Sequence, residues 1–112
     1  MYNPSSIEPH EGCIAATLQI IGDKWTALIL RDLAHGERRF SQLQSSLEGI
    51  SPRTLSQRLD NLEERSIITK QAFAEVPPRV EYHLTQKGQD LLPILQTMAD
   101  WGEKHFSSAS GC

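Results

Sequence analysis

With 112 residues, the chain is long enough for one small domain with a single hydrophobic core. It carries 11 Lys and Arg against 14 Asp and Glu, and the resulting net charge of −3 does not by itself favour a nucleic-acid partner. No apolar run is long enough for a membrane span, and residues 1–12 lack the basic and apolar regions of a secretory signal. We therefore expect a cytoplasmic protein.

The residue types that carry metal or catalytic chemistry form no recognisable site. Cys13 and Cys112 lie at opposite ends of the chain without a CxxC or zinc-binding pattern, so we expect no structural disulfide in a reducing compartment. The four histidines have no metal-ligand spacing with a carboxylate or thiol. There is also no Gly-rich phosphate loop and no Ser/His/Asp arrangement. We expect no metal, no cofactor and no enzyme activity.

Both ends of the chain are predicted to be flexible. Residues 1–12 contain several Pro, Ser and Gly, and residues 107–112 are rich in Ser and Gly. Between them we expect one folded domain, residues 13–106.

Two helices are predicted to open this domain. Apolar residues at helical spacing predict a short helix over residues 13–21. Asp23 can then cap a second helix over residues 24–35, which ends before Gly36. Trp25 lies on the apolar side of the second helix and is expected in the core.

The next stretch has the pattern of a helix-turn-helix. After a short strand over residues 38–40, Ser41 and Gln44 match the S-x-x-Q capping box of a third helix that ends near Leu47. Gly49 supplies the tight turn before the following helix. In this arrangement the second helix enters the major groove of DNA.

The helix after this turn, residues 52–65, begins with three agreeing signals. Ser51 is an N-cap residue, Pro52 suits the first helical position, and Ile50 and Leu55 form a hydrophobic staple around the cap. Leucine then recurs along one narrow stripe that should face the core. The remaining faces are polar.

These polar faces carry side chains that suit DNA recognition. Arg, Gln and Asn have the geometry for paired hydrogen bonds to base edges. Residues 38–58 hold four Arg and one Glu, whereas residues 1–23 hold three acidic residues and no basic one, so positive charge is concentrated near this helix. Considered alone, such a face is more often simply solvated. The predicted DNA contacts are Arg38, Arg39, Ser41, Gln42, Ser51, Arg53, Thr54, Gln57 and Arg58, with Asn61 added if the helix enters deeply.

A β-hairpin over residues 67–84 is predicted to complete a winged helix. Apolar and polar residues alternate over residues 80–84, which indicates a half-buried strand. Pro77 and Pro78 must lie in the turn, because neither can donate a backbone hydrogen bond to the sheet. Arg79 is predicted to lie at the wing tip, where it either contacts a phosphate or the minor groove or is a solvated turn residue.

Thr85 can cap a final helix over residues 86–106, which Pro93 should either kink or break in two. Its apolar residues cover more than one face, so one face should pack on the core and another should meet a second subunit. The predicted class is mainly α (α+β): a winged helix-turn-helix domain with an added N-terminal helix and a long C-terminal dimerisation helix. The predicted dimer contacts on this helix are Leu95, Met98 and Trp101.

Several uncommon strings occur along the chain, namely IGDKW at 21–25, LILR at 28–31, RRF at 38–40, GISP at 49–52, Leu59, LE at 62–63 and EVPPRVEY at 75–82. In their order and spacing they resemble the HxlR family of small bacterial winged-helix transcription regulators, which is related to the MarR type. The resemblance runs from Cys13 to Gly102. It implies a homodimer in which the first and last helices form much of the interface, so that Ile14 and Leu18 join the predicted dimer contacts, and operator binding by the helix after Ser51 and by the wing.

The resemblance also makes Cys13 a candidate thiol sensor, because some members of the family sense electrophiles, oxidants or quinones through a cysteine near this position. A cysteine at a helix N-terminus can be unusually reactive. The alternative is that Cys13 is a small buried apolar residue at the dimer interface. The family often has Pro at the next position, where this chain has Ile14.

Two functions are compatible with these observations. The first is a repressor that binds an inverted-repeat operator as a homodimer, with residues 52–65 in the major groove and residues 67–84 on the backbone or minor groove, and that responds to an oxidant or small molecule. Its half-sites should lie about one helical turn apart, roughly 34–36 Å, or a multiple of that. The second is a winged-helix module that binds protein rather than DNA, which the net charge of −3 favours. A steep loss of DNA affinity with salt would separate the two.

Overall fold

The computed structural model describes residues 11–106. Most of the predicted arm, and the predicted tail with Cys112, lie outside these residues. The described elements are α1 (Glu11–Ile21), α2 (Lys24–Leu33), β1 (Arg38–Arg39), α3 (Phe40–Ser46), α4 (Pro52–Glu64), β2 (Ile68–Phe73), β3 (Arg79–Leu84), α5 (Gln86–Gln89) and α6 (Leu92–His105). The mainly helical winged helix-turn-helix fold is confirmed.

The three strands form one antiparallel sheet in the order β1-β3-β2. In the wing hairpin the register runs from Ile68 opposite Leu84 to Phe73 opposite Arg79, and β1 pairs with the outer edge of β3. Every residue of β3 is half-buried, so the predicted half-buried strand is confirmed. β3 is the central strand of the sheet, with a neighbour on both edges.

The hydrophobic core lies between the helices and the inner face of the sheet. The predicted leucine stripe of α4 is fully buried, and so is the staple residue Ile50. Trp25 is half-buried and packs against this core, as expected. Together these residues fix one side of α4 against the rest of the domain. The most deeply buried side chains are Ile29, Leu30, Leu43, Leu47, Leu55, Leu59, Leu62, Ile67 and Ile68.

Three predicted helix caps are confirmed by side chains that accept backbone hydrogen bonds. Asp23 Oδ2 accepts from the Thr26 N–H at 3.0 Å at the start of α2. Ser51 Oγ accepts from the Thr54 N–H at 3.0 Å at the start of α4. Thr85 Oγ1 accepts from the Gly88 N–H at 3.1 Å at the start of α5.

The first three helices depart from the prediction at their ends. α1 starts two residues early, at Glu11, and α2 ends two residues early, at Leu33. α3 starts at Phe40, so the capping box predicted at Ser41 and Gln44 does not lie at the start of this helix.

The observed contact at the start of α3 is Gln42 Oε1, which accepts from the Arg39 N–H at 2.8 Å. Arg39 is held in β1 opposite Glu81, and the helix therefore begins immediately after that pairing.

The predicted C-terminal helix is broken in two, which was one of the two outcomes expected of Pro93. Pro93 is the second residue of α6 and has no N–H, so the carbonyl of Gln89 cannot receive the bond that would continue α5. The chain turns at residues 90–91 before α6 begins. The C-terminal helix proper, α6, is therefore 14 residues long.

The short helix α5 is fastened to the base of the wing. A Cβ added to Gly88 would lie 2.2 Å from the Ile67 carbonyl oxygen, so only glycine fits at this approach. Thr85 Oγ1 donates to the Ser66 carbonyl at 2.6 Å, and Lys87 Nζ donates to the Arg65 carbonyl at 2.7 Å. These contacts join the end of α4, the start of β2 and α5 into one unit.

Within residues 11–106, no single helix is long and apolar enough to cross a membrane; α1 and α2 reach that length and composition only as a pair bent by 75°.

Candidate nucleic-acid interface

The turn between α3 and α4 sets how α4 leaves the domain. Gly49 has a φ of +91°, a backbone conformation that favours glycine. The Ile50 N–H donates to the Leu47 carbonyl at 3.1 Å, and Gln44 Nε2 donates to the Ile50 carbonyl from within α3. The first turn of α4 therefore starts from a hydrogen-bonded loop.

The exposed face of α4 is basic and polar over its first two turns. Arg53 and Gln57 are exposed and one turn apart, as predicted. Arg53 makes no ion pair with any carboxylate among residues 11–106. Thr54 is half-buried, and its Oγ1 accepts from the hydroxyl of exposed Ser51 at 2.9 Å. This part of the helix has free donors and acceptors for another molecule.

Arg58 is positioned differently from the other predicted contacts, because its guanidinium is turned onto Asp23. Its Nε lies 2.7 Å from Asp23 Oδ2, and both side chains are about one third exposed, 32% and 34%. The hydrogen bond from Arg58 is the main reason why the pKa of Asp23 is lowered, and the same bond raises the pKa of Arg58. The structure thus does not favour the predicted role of Arg58 as a free DNA contact.

The last two turns of α4 are acidic. Asn61 Oδ1 accepts from Arg65 Nε at 3.1 Å, so the predicted extra base contact has an intramolecular partner. Burial raises the pKa of Tyr82, and the negative charges of Asp60 and Glu63 raise it further. The negative potential at this end of α4 disfavours a phosphate there.

The predicted contacts that precede the turn lie on β1 and on the first turn of α3. Arg39, Ser41 and Gln42 are exposed, although Gln42 uses its side-chain oxygen at the start of α3. Arg38 is half-buried, and its Nη1 donates to the Glu37 carbonyl at 2.9 Å. Neither arginine forms an ion pair with a carboxylate of the described residues.

Arg79 was predicted to lie at the wing tip. In the structure it is instead the first residue of strand β3. Its guanidinium carbon lies 4.1 Å from the centre of the Phe73 ring. Its Nη1 is 3.5 Å from Glu75 Oε1, and its Nε is 3.4 Å from Glu81 Oε2. The positive charge is therefore matched within the wing, and the fully exposed side chain at the tip is that of Val76.

Sequence reasoning did not find these intramolecular partners. The Phe73–Arg79 pair follows from the hairpin register, so a correct turn length would have indicated it. Asp23 and Arg58 are 35 residues apart, and no local pattern joins them. Lys70, exposed on β2, is a further basic residue on the wing that was not singled out.

α1 and α6 each carry exposed apolar side chains. Four of the five predicted dimer residues belong to this set, namely Ile14, Leu18, Met98 and Trp101. Leu95 does not, because it is half-buried and packs against the core. Cys13 is exposed on α1, next to Ile14 in the chain, and is not buried within the single chain.

A helix-turn-helix whose second helix presents Arg and Gln, followed by a hairpin wing, defines a winged-helix transcriptional regulator. Within that class, the chain belongs to the HxlR-like helix-turn-helix family, whose model matches residues 20–110. The chain is a transcriptional regulator and not an enzyme.

Its relatives agree with this assignment. It is 40% identical over 101 residues to the HTH-type transcriptional regulator YdeP from Bacillus subtilis, covering 89% of this chain and 79% of YdeP. Among solved structures, the redox regulator HypR in its oxidized form has a TM-score of 0.77 and 35% identity, covering 82% of this chain and 95% of HypR. The reduced form of the transcriptional regulator YodB from B. subtilis has a TM-score of 0.76 and 29% identity, covering 96% of this chain and 98% of YodB.

Proposed function

We propose that this regulator is a homodimeric repressor that binds an inverted-repeat operator, with α4 in the major groove and the β2–β3 wing on the backbone or minor groove. The observation that carries the proposal is the first half of α4. Arg53 and Gln57 stand exposed there on a helix whose opposite side is buried, and Arg53 has no ion-pair partner in residues 11–106. Arg and Gln in that position can form the paired hydrogen bonds that identify bases.

The remaining contacts we propose surround this half of α4. Phosphate contacts fix the position of a protein on DNA, whereas base contacts give specificity. We assign phosphate contacts to the exposed or half-buried residues near the start of α3 and α4. They are Arg38, Arg39, Ser41, Gln42, Ser51 and Thr54.

Truncation of the exposed row on α4 should separate base reading from phosphate contact. Arg53→Ala or Gln57→Ala should cost roughly 1–3 kcal/mol of operator binding and relax specificity at one base pair, provided that the lost residue reads a base. Loss of a phosphate contact would instead weaken all sequences equally and lower the salt slope by about 1. We would titrate labelled duplexes from the upstream region of its own gene at several salt concentrations.

The matched control is Lys104→Ala, which removes the same positive charge from the last turn of α6. It should leave affinity nearly unchanged. If Arg53→Ala and Gln57→Ala bound the operator as tightly as Lys104→Ala, α4 would not be the DNA-recognition helix.

The exposed apolar surface of α1 and α6 supports the homodimer. Leu18, Met98 and Trp101 are each at least half exposed in the single chain. Exposed large apolar side chains that are grouped rather than scattered mark interaction sites. A second copy would cover these side chains and would pair the two α4 helices over inverted half-sites.

Repression is tested with a reporter gene driven by the upstream region of the regulator's own gene. Deletion of the regulator should raise reporter expression, and a fall in expression would indicate activation.

Cys13 supports a thiol signal as a second component of the proposed function. It is exposed on α1, beside the proposed dimer surface, where an adduct or disulfide would alter how the two copies meet. The similarity to HypR, which is named a redox regulator, supports the same hypothesis of a thiol signal. Treatment with diamide should abolish the gel shift of operator DNA, and dithiothreitol should restore it. Cys13→Ser should bind DNA but no longer respond.

Mass spectrometry after diamide treatment provides the control for this experiment. An unmodified Cys13 in protein that has lost DNA binding would place the sensor elsewhere. DNA binding that ignores oxidant would redirect the search to a small molecule, for which the open groove of about 560 Å³ between α2 and α6 offers mainly apolar walls.

A further inference from the structure

Asp23 connects two helices through one carboxylate. Its Oδ2 accepts from both the N–H and the hydroxyl of Thr26 at 3.0 Å, which caps α2. The same oxygen accepts from Arg58 Nε at 2.7 Å, and Oδ1 lies 3.4 Å from Arg58 Nη2. The contact therefore joins the start of α2, just after α1, to the middle of α4.

We propose that Arg58 is a positioning residue for DNA recognition, whose two-point contact with Asp23 fixes the rotation of α4 so that Arg53 and Gln57 face the DNA. The inference rests on the proposed function, because it assigns a role within the same helix. It replaces the predicted role of Arg58 as a direct DNA contact.

The packing of α4 shows why such a contact is needed. Leu55, Leu59 and Leu62 hold the helix by apolar contact, which is not directional. The crossing angles of packed helices scatter by about 15–20°, and we consider a rotation of α4 about its own axis of the same size. Such a rotation displaces an atom on the helix surface, about 5–6 Å from the axis, by about 1.5–2 Å. That displacement is enough to break a base contact, since hydrogen bonds hold only over a few tenths of an ångström.

The electrostatics favour the ion pair over release of Arg58 to DNA. If the guanidinium moved to a phosphate, it would leave the Asp23 carboxylate without its only ion-pair partner among residues 11–106. A bare carboxylate at the start of α2 would then repel the DNA backbone nearby. The hydrogen bond from Arg58 is also the main cause of the lowered pKa of Asp23, as expected for a carboxylate that a guanidinium stabilises.

The test is a double-mutant cycle on operator binding with Asp23→Asn, Arg58→Gln and the double variant. Asn is as good an N-cap residue as Asp, so Asp23→Asn removes the ion pair but keeps the cap. Each single variant should bind about 5–10-fold more weakly, and the double variant should be no weaker than either single one. The salt slope should stay at the wild-type value, because no phosphate contact is lost. Arg58→Lys should restore part of the affinity.

Asp23→Asn is the decisive variant. It removes a negative charge, so any account without positioning predicts unchanged or tighter DNA binding. Unchanged or tighter binding by Asp23→Asn, together with a salt slope lowered by about 1 in Arg58→Gln, would identify Arg58 as a phosphate contact and overturn the proposal.

A measurement without DNA separates this proposal from the proposed function. Amide chemical shifts of residues 52–57 should move in both single variants of the free protein, while the urea unfolding midpoints stay near that of wild type. Unmoved shifts would overturn the positioning role. Absence of specific DNA binding by the wild type, with moved shifts, would instead count against the proposed function alone.

Discussion

Met98→Glu is expected to convert the proposed dimer into monomers and to weaken operator binding about 100-fold, because each half-site would then be bound separately. Met98 is half exposed, at 50%, and lies on one stripe of α6 with Ile94 and Trp101. A carboxylate buried there against a second copy would lose its hydration without gaining a partner. Sedimentation at micromolar concentration and operator titration measure the two effects.

Gln96→Glu is the matched control, since it adds the same charge to an exposed position on the opposite side of α6. It should remain dimeric and bind normally. A wild-type protein that is already monomeric at micromolar concentration, or a Met98→Glu variant that stays dimeric, would contradict the dimer proposed through this stripe.

Leu59→Ala is expected to lower the free energy of unfolding by about 2–5 kcal/mol, through lost burial and the cavity left behind. Leu59 is 1% exposed and is the central residue of the α4 stripe. Small domains have only about 5–15 kcal/mol of stability in total, so a large part of it would be lost. Urea unfolding followed by circular dichroism measures the change.

Val76→Ala provides the comparison, because Val76 is apolar but fully exposed at the wing tip. Its unfolding midpoint should match that of wild type. If Leu59→Ala unfolded at the same midpoint as Val76→Ala and wild type, the α4 stripe would not be the principal attachment of this helix to the core.

Local signals in the sequence predicted the elements well. A cap depends on a side chain and a backbone N–H only three residues away, which is why Asp23, Ser51 and Thr85 were placed correctly. The start of α3 was misplaced because it depends on Arg39 pairing with Glu81, more than forty residues along the chain. Pairing over such a distance leaves no trace in a short window of sequence.

The candidate site shows the same difference between features set by local sequence and features set by contacts between distant residues. The helical period alone placed Arg53 and Gln57 on an exposed face, and the structure agrees. The same period could not show that Arg58 faces Asp23, since the partner belongs to another helix. Arg79 likewise reads as a free charge in the sequence, and only the hairpin register brings it over Phe73.

The break between α5 and α6 has a consequence for the length of the operator spacer. α5 moves with the wing and with α4, because Gly88, Thr85 and Lys87 are fastened to the wing base. The turn at residues 90–91 is not a free hinge, because Leu91 in that turn is buried and Leu95 of α6 packs against the core. In the proposed dimer, α4 and the helix that meets the second copy therefore move together. A single added or deleted base pair would shift one half-site by roughly 3.4 Å and turn it by about one tenth of a helical turn, which this rigid connection cannot follow, so operator binding should be weakened.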